Sequence, residues 1–204
     1  MSNFNVAVLI SGNGSNLQAI IDKFQKDELV NVCCVVSNKK DAYGLVRAEK
    51  AKIDHYFIDN KNFSSREEFE QAIINILNKY EPDLVVLAGF MRILSELFVN
   101  KYQNKLINIH PSLLPKYKGL DTHRKVLENQ DDYHGVTVHF VDNTLDGGPI
   151  LAQTRTPVET QDIKELEEKI HELEHKIYPE VIKDIAQKQI YVLNGKVIKE
   201  NNDE

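Results

Sequence analysis

Asn108, His110 and Asp146 are the side chains best suited to stabilise developing charge and to move a proton. Asn108 and His110 lie two residues apart in an apolar run, and such residues project from the same face of a β-strand. Crevices form at the carboxyl ends of parallel strands, so this pair is a candidate site. Asp146 precedes two glycines, and a carboxylate near an imidazole orients the ring and raises its pKa. Taken alone, Asn108 and His110 are equally typical of structural side chains. Asp146 before two glycines is equally typical of an ordinary turn.

A glycine-rich turn at 12–16 separates a short apolar run from a helical pattern. Backbone amides at a helix N-terminus bind phosphate, glycines let the anion approach, and Ser15 and Asn16 add donors. The dinucleotide fingerprint is incomplete, because Leu17 replaces its third glycine and Ser37-Asn38 replaces the acid expected after the second strand. The turn therefore favours a single terminal phosphate, with a simple helix-capping turn as the alternative.

His171 and His175 satisfy the H-E-x-x-H pattern of zinc proteases, which places two histidines on one face of a helix. The surroundings are highly charged, with Glu174 inside the motif and Lys169 and Lys176 beside it. No third ligand follows downstream. The sequence therefore predicts no metal site here.

Alternating segments in the first half predict the elements that carry these residues. Runs at 5–10, 30–37, 55–58 and 84–88 are typical of strands, and helical spacing follows at 17–24, 43–50 and 66–79. Ser65 followed by Glu68 predicts a capping box. Continuous apolar strands with helical crossovers indicate a Rossmann-like α/β fold, an open, mostly parallel twisted sheet with helices on both faces.

The second half predicts strands at 106–110, 134–141 and 150–156 and a helix at 122–128. Thr160 is expected to cap a long helix that reaches Tyr178 or beyond, with Pro179 as a kink or break. Asn194-Gly195 predicts a β-hairpin near the C-terminus, and the tail at 201–204 is expected to fray. We expect a single domain over 1–204, with a nucleotide-binding half at about 1–105 and a catalytic half at about 106–204.

Composition excludes several classes of function. The 204 residues carry a formal charge of −6, which argues against a large basic footprint for nucleic acid or an anionic membrane. The first basic residue is Lys23, so no signal peptide is expected, and no apolar run is long enough to span a membrane. Cys33 and Cys34 are expected to be buried on a strand, and the pair is typical of the reducing cytoplasm.

The sequence resembles the phosphoribosylglycinamide formyltransferases, folate-dependent enzymes of purine synthesis. The resemblance rests on five segments: SGNGSN at 11–16, LVVLAGFMRIL at 84–94, NIHPSLLPK at 108–116, GVTVHF at 135–140 and LDGGP at 145–149. NIHPSLLP followed by LDGGP is specific to formyltransferases, and SGNGSN narrows the match to the ribonucleotide branch. Lys118 and Asn143 depart from the pattern, where proline and an acid are common.

The resemblance assigns roles to individual residues. It implies that Asn108, His110 and Asp146 are catalytic and that four residues bind glycinamide ribonucleotide: Gly14, Ser15, Asn16 and Glu174. Further positions are implied to line the pocket of 10-formyltetrahydrofolate, the co-substrate, together with Asn108: Arg66, Met91, Arg92, Ile93, Leu94, Asp142, Asn143, Thr144, Leu145 and Asp146. Small molecules are the expected partners of a monomer or weak homodimer, without metal, nucleic acid or membrane.

The implied reaction is direct attack of the ribonucleotide amine on the formyl carbon, through a tetrahedral oxyanion and without a covalent enzyme intermediate. Asn108 and protonated His110 would stabilise the oxyanion, and Asp146 would hold His110 charged and organise a water for proton transfer. We expect the three side chains to share a pocket whose opposite wall is the turn near Gly14.

Four rivals remain. A methionyl-tRNA formyltransferase should have a further C-terminal domain and a basic surface, and a formyltetrahydrofolate hydrolase should have an extra N-terminal domain. A nucleotide-binding regulator should lack the three catalytic side chains, which are present here. A zinc hydrolase predicts stoichiometric metal.

Overall fold

The computed structural model describes residues 3–193 and 195–200, which fall into two compact units. The N-terminal unit spans Met1–Asn108 and the C-terminal unit spans Ile109–Glu204. No helix among the described residues is both long enough and apolar enough to cross a membrane.

The N-terminal unit alternates strands and helices. Its strands lie in the order β3-β2-β1-β4-β5, and each adjacent pair is parallel. All four residues of β4 are buried, so both faces of the sheet are covered there. The elements are β1 (Phe4–Ile10), α1 (Ser15–Phe24), β2 (Val30–Ser37), α2 (Tyr43–Lys50), β3 (Asp54–Phe57), a 3-10 turn (Asn60–Asn62), α3 (Arg66–Leu77), β4 (Leu84–Leu87), α4 (Glu96–Lys101) and β5 (Leu106–His110).

The C-terminal unit contains the end of β5 and a second set of elements. β6 and β7 pair antiparallel, and every residue of β6 after Tyr133 is buried. The elements are α5 (Thr122–Glu128), β6 (Tyr133–Phe140), β7 (Ile150–Pro157), α6 (Ile163–Ala186), β8 (Ile190–Leu193) and β9 (Lys196–Lys199), and β8 and β9 form an antiparallel hairpin. The predicted fold class is confirmed: a mostly parallel α/β sheet with a long C-terminal helix and a hairpin.

Local details differ from the sequence-based prediction at two places in α6. Asp162, not Thr160, is the N-cap of α6, because its side chain accepts from the Lys164 amide while Thr160 Oγ1 accepts from the Asp162 amide. The helix also continues through Pro179 without a break. The predicted capping box at α3 is confirmed, because Ser65 is the N-cap and its hydroxyl accepts from the Glu68 amide. The Glu68 carboxylate also accepts from the Ser64 amide and hydroxyl.

Two further predictions have a different outcome. The short helix α4 was not predicted, although Ser95 caps it with its hydroxyl. Asn194 and the tail at 201–204 lie outside the described residues, so the expected turn and fraying stay predictions.

Candidate active site

The glycine turn lies between β1 and α1 in the N-terminal unit. Gly14 is the N-cap of α1 with φ 74°, in the left-handed region that glycine adopts at little cost, and it contributes no side-chain cap to the helix. A Cβ at Gly14 would lie 2.8 Å from the Cα of Gly44 in α2. Gly14 therefore does not cap the first-turn amides of α1. Such amides can donate to an anion at the positive end of the helix dipole.

Arg47 of α2 braces the same turn. Its Nε donates to the Asn13 carbonyl at 2.9 Å and its Nη2 donates to Asn13 Oδ1 at 2.9 Å. Its Nη1 donates to Gln18 Oε1 at 3.0 Å, and its guanidinium lies 4.9 Å from the centre of the Tyr43 ring. The planar guanidinium presents several donors in a fixed geometry, so Arg47 stabilises the conformation of the turn.

Ser11 joins the carboxyl ends of three strands at the base of the turn. Its buried hydroxyl donates to Asn38 Oδ1 at 2.6 Å and accepts from the Met91 amide at 2.8 Å. Its amide donates to the Gly89 carbonyl at 3.1 Å. The turn and the segment after β4 are thus tied to one another within the N-terminal unit.

His110 ends β5 and is buried in the C-terminal unit. Its Nε2 lies 2.9 Å from the Tyr117 carbonyl, which can only accept, so Nε2 carries a hydrogen. Its Nδ1 lies 3.6 Å from Asp146 Oδ2, a separation of an ion pair and too long for a hydrogen bond. Both ring nitrogens thus face oxygen acceptors.

Asp146 lies between two imidazoles. Besides His110, its carboxylate faces His139, with Oδ1 3.9 Å from Nε2. Asp146 Oδ2 also accepts from the Gly119 amide at 2.8 Å. The residue has φ 45°, and its side chain is only 12% exposed. Burial lowers the pKa of His139, so this ring favours its neutral form.

The loop after β5 supplies backbone groups to this cluster. Tyr117 presents its carbonyl to His110, with φ 55°, and its hydroxyl donates to Asp131 Oδ2 at 2.8 Å. Lys116 Nζ lies 3.1 Å from Asp131 Oδ1. Thr137 anchors the beginning of the loop, since its hydroxyl donates to the Ser112 carbonyl at 2.6 Å. The His110–Asp146 cluster, which we define as these two residues with His139 and the Tyr117 and Gly119 backbone groups, is therefore a preformed unit.

The structure places the remaining predicted residues of the N-terminal unit at its surface or near it. Met91 and Ile93 are each 70% exposed, unusual for apolar side chains, and Arg66 is exposed beside Glu67. Arg92 lies over the Phe69 ring, and its buried Nε has no hydrogen-bond partner among the described residues. Leu94 and Asn108 are half-buried. Exposed apolar groups and an unpaired buried donor fit a ligand that combines rings with polar edges.

The loop that carries Asp146 has a tightly built backbone. Asp142 Oδ1 accepts from the Thr144 amide at 2.8 Å and from its hydroxyl at 2.6 Å, which closes an Asx turn. A Cβ at Gly148 would lie 1.9 Å from the Phe140 carbonyl oxygen, so this position requires glycine. Asn143 and Leu145 are exposed, the latter by 57%.

Glu174 lies within the buried stripe of α6, where it is 5% exposed among apolar neighbours such as Ile170 and Ile177. A buried carboxylate in such a stripe is unusual. His171 and His175 stack with ring centres 6.2 Å apart. The described residues contain no group of three or more His, Cys, Asp or Glu side chains arranged to hold a metal.

Sequence reasoning did not identify several residues of these arrangements: Arg47, Ser11, Tyr117, Gly119 and His139. Arg47 could have been suspected as a cation on the helix after β2. Tyr117 and Gly119 act through backbone groups, which every residue has, so the sequence offered no signal. The expected proximity of the glycine turn to the His110–Asp146 cluster stays a prediction.

Three comparisons place the chain among known proteins. A family model described as "Formyl transferase" matches residues 4–182. A phosphoribosylglycinamide formyltransferase of Escherichia coli (strain K12) is 52% identical over 180 residues, 87% of this chain and 85% of the relative. A human protein named trifunctional purine biosynthetic protein adenosine-3 is 44% identical over 195 residues, which cover 94% of this chain and 19% of that protein.

The chain is also similar to solved structures of phosphoribosylglycinamide formyltransferases. A phosphoribosylglycinamide formyltransferase from Coxiella burnetii, in complex with CHES, superposes with a TM-score of 0.93 at 45% identity and covers 98% of this chain and 94% of its own. A glycinamide ribonucleotide transformylase from Symbiobacterium toebii has a TM-score of 0.93 at 38% identity, over 98% of this chain and 95% of its own.

Proposed function

The chain belongs to the formyl transferase family, and on that basis we propose that it formylates the amine of glycinamide ribonucleotide in purine biosynthesis. Its relatives of similar length are phosphoribosylglycinamide formyltransferases, so it is a folate-dependent enzyme of this kind. The formyl donor is 10-formyltetrahydrofolate, a co-substrate.

Substrate binding is divided between two kinds of contact. The glycine turn, with Gly14, Ser15 and Asn16, binds the 5′-phosphate through amides and a hydroxyl at the start of α1. Glu174, buried in α6, contacts the ribonucleotide. The folate contacts come from Arg66, Arg92 and the apolar side chains after β4, together with the loop from Asp142 to Asp146.

The chemistry belongs to Asn108, His110 and Asp146. The amine attacks the formyl carbon, and the resulting oxyanion accepts hydrogen bonds from the Asn108 amide and the His110 ring. A substrate oxygen would replace the Tyr117 carbonyl as the acceptor of the Nε2 hydrogen. Asp146 keeps His110 oriented while a proton passes from the amine to the departing folate nitrogen. No covalent enzyme intermediate is required.

The pair of buried His110 and largely buried Asp146, 3.6 Å apart, is the observation that carries this proposal. The pair supplies a hydrogen-bond donor, the His110 ring, held in place beside the Asp146 carboxylate. Preorganised donors of this kind stabilise the oxyanion of the transition state. The free thiols Cys33 and Cys34 suit the reducing cytoplasm, where we place the enzyme. We propose a monomer or weak homodimer that acts on small molecules and binds no nucleic acid.

A competition assay tests the proposal. The protein is mixed with 10-formyltetrahydrofolate and offered glycinamide ribonucleotide, initiator methionyl-tRNA or water as acceptor. We expect rapid formylation of the ribonucleotide and slow or undetectable reaction with the other two. Faster reaction with tRNA or water would assign the chain to another branch of the family.

A further inference from the structure

Cys33 and Cys34 occupy an irregular place in β2 and take no part in the proposed reaction. The register of β1 against β2 shifts between Val6 and Ala7, so that Val6 pairs with Val32 and Ala7 pairs with Cys34. Cys33 therefore has no opposing residue and forms a β-bulge. Bulges are rare in parallel pairs, and they redirect a side chain.

The bulge changes how the two thiols are placed. In a regular strand, successive side chains point to opposite faces, and the bulge interrupts this alternation at Cys33. The Cys34 thiol is near enough to lower the pKa of Cys33. The Cys33 thiol also lies 3.3 Å from the Val6 carbonyl. Cys34 is buried and Cys33 is partly exposed, and neither is in a disulfide.

The two sulfurs differ in reactivity. The neighbouring Cys34 thiol lowers the pKa of Cys33, while the Cys33 thiol and burial raise the pKa of Cys34. Because the thiolate is the nucleophile, we expect Cys33 to react first with an electrophile. Cys34 would then form the second bond to the same atom.

A direct disulfide between them is disfavoured. Adjacent Cα atoms are about 3.8 Å apart, below the range of about 4.4–6.8 Å that disulfides prefer. An atom inserted between the two sulfurs, and bonded to both, lengthens the bridge. The short Cα–Cα separation then no longer prevents the bridge from forming.

We propose that Cys33 and Cys34 form a two-sulfur binding site for a trivalent arsenical or a comparably thiophilic centre. With phenylarsine oxide, two As–S bonds form and the As=O bond breaks. The arsenyl oxygen leaves as water with the two thiol hydrogens. Arsenic remains trivalent, so the reaction needs no oxidant or reductant.

Intact-mass spectrometry of the full-length folded protein tests the site, since the sequence contains only these 2 cysteines. With phenylarsine oxide, we expect one adduct per chain whose mass reflects loss of one water. It should survive excess 2-mercaptoethanol and be removed by 2,3-dimercaptopropanol. Cys33→Ser and Cys34→Ser should each lose this stable adduct.

The folded state must be the one that reacts. The site would be disproved if the native wild-type protein gave no adduct, or only one removed by the monothiol, while urea-unfolded protein gave the stable adduct. It would also be disproved if either serine variant kept the stable adduct. Circular dichroism of the variants confirms that a loss is not a failure to fold, and the readout is independent of formyl transfer.

Discussion

The glycine turn, to which we assign phosphate binding, and the His110–Asp146 cluster, to which we assign catalysis, present different chemical groups. The turn presents main-chain amides at a helix end, braced by Arg47 and by close contact between Gly14 and Gly44. The cluster presents ionisable side chains held by loop backbone, through the Tyr117 carbonyl and the Gly119 amide. Binding through the backbone depends on shape, whereas catalysis through side chains depends on charge. Substitutions in the two regions should therefore affect different kinetic constants.

Loss of the His110 ring is the largest effect that we expect from truncating one side chain. His110→Ala removes a donor to the oxyanion, and one such donor is worth about 2.7–4 kcal/mol of barrier, or roughly 10²–10³ in kcat. The KM for glycinamide ribonucleotide should change only slightly. Steady-state kinetics with both substrates measure this.

His139→Gln is the matched control, because His139 also faces Asp146 but has no proposed contact with substrate. It should retain most of the wild-type kcat. Equal losses in the two variants would mean that the cluster is a structural core and not a catalytic one.

Gly14→Ala should weaken ribonucleotide binding by about tenfold or more. The added Cβ meets the Gly44 backbone at 2.8 Å, and φ 74° is strained for alanine, which costs on the order of 1–3 kcal/mol. Gly12→Ala is the control, because no atom lies within 4 Å of its added Cβ. If the two variants show equal KM values, the tight packing of the turn does not matter for binding.

Acid should destabilise the protein through the C-terminal unit. His55 is the single histidine before Ile109 among the 7 of the chain. Burial lowers the pKa of His134 to about 4 and also lowers the pKa values of His123 and His139. An unfolded histidine has a pKa of about 6.5, so between these values only the unfolded state takes up the proton. Stability should fall as pH drops from about 6.5 to 4.

Urea unfolding at pH 7 and pH 5 measures this loss. For each fully neutral buried ring, the limit is about 1.4 kcal/mol per pH unit, and partial exposure reduces it. His134→Gln should flatten the pH dependence relative to wild type. An unchanged slope would exclude His134 as the origin.

Ser15→Ala should give the smallest effect. It removes one hydroxyl from the turn and leaves the amides in place. A single hydrogen bond contributes about 0.5–1.5 kcal/mol, so the KM for the ribonucleotide should rise by roughly two- to tenfold, with kcat and the KM for folate unchanged. A change in folate affinity instead would reassign the turn.

Residues with strong local signals were predictable. β2, α2, β5 and α5 have the predicted bounds, because apolar runs and turn residues delimit them. His110 and Asp146 were predicted as a pair, and the structure brings them together. The predicted N-cap of α6 was wrong. Thr160 and Asp162 are both residue types that cap helices, and the helix begins after Asp162.

Other features depend on distant contacts. Arg47 reaches Asn13 across 34 positions, and the Cys33 bulge is a property of strand pairing, which apolar patterning does not encode. Tyr117 acts through its carbonyl, so its residue type carries no signal. The side chains to which we assign catalysis could thus be predicted from the sequence, whereas the groups that orient them could not.

Asp146→Asn tests the division between binding and chemistry most directly. The asparagine keeps a side-chain oxygen that can accept from the Gly119 amide, but it removes the charge beside His110. We expect kcat for formyl transfer to glycinamide ribonucleotide to fall by about 10² or more, with the ribonucleotide KM within a few-fold of wild type. A wild-type kcat, or a loss confined to KM, would contradict the catalytic role of this pair.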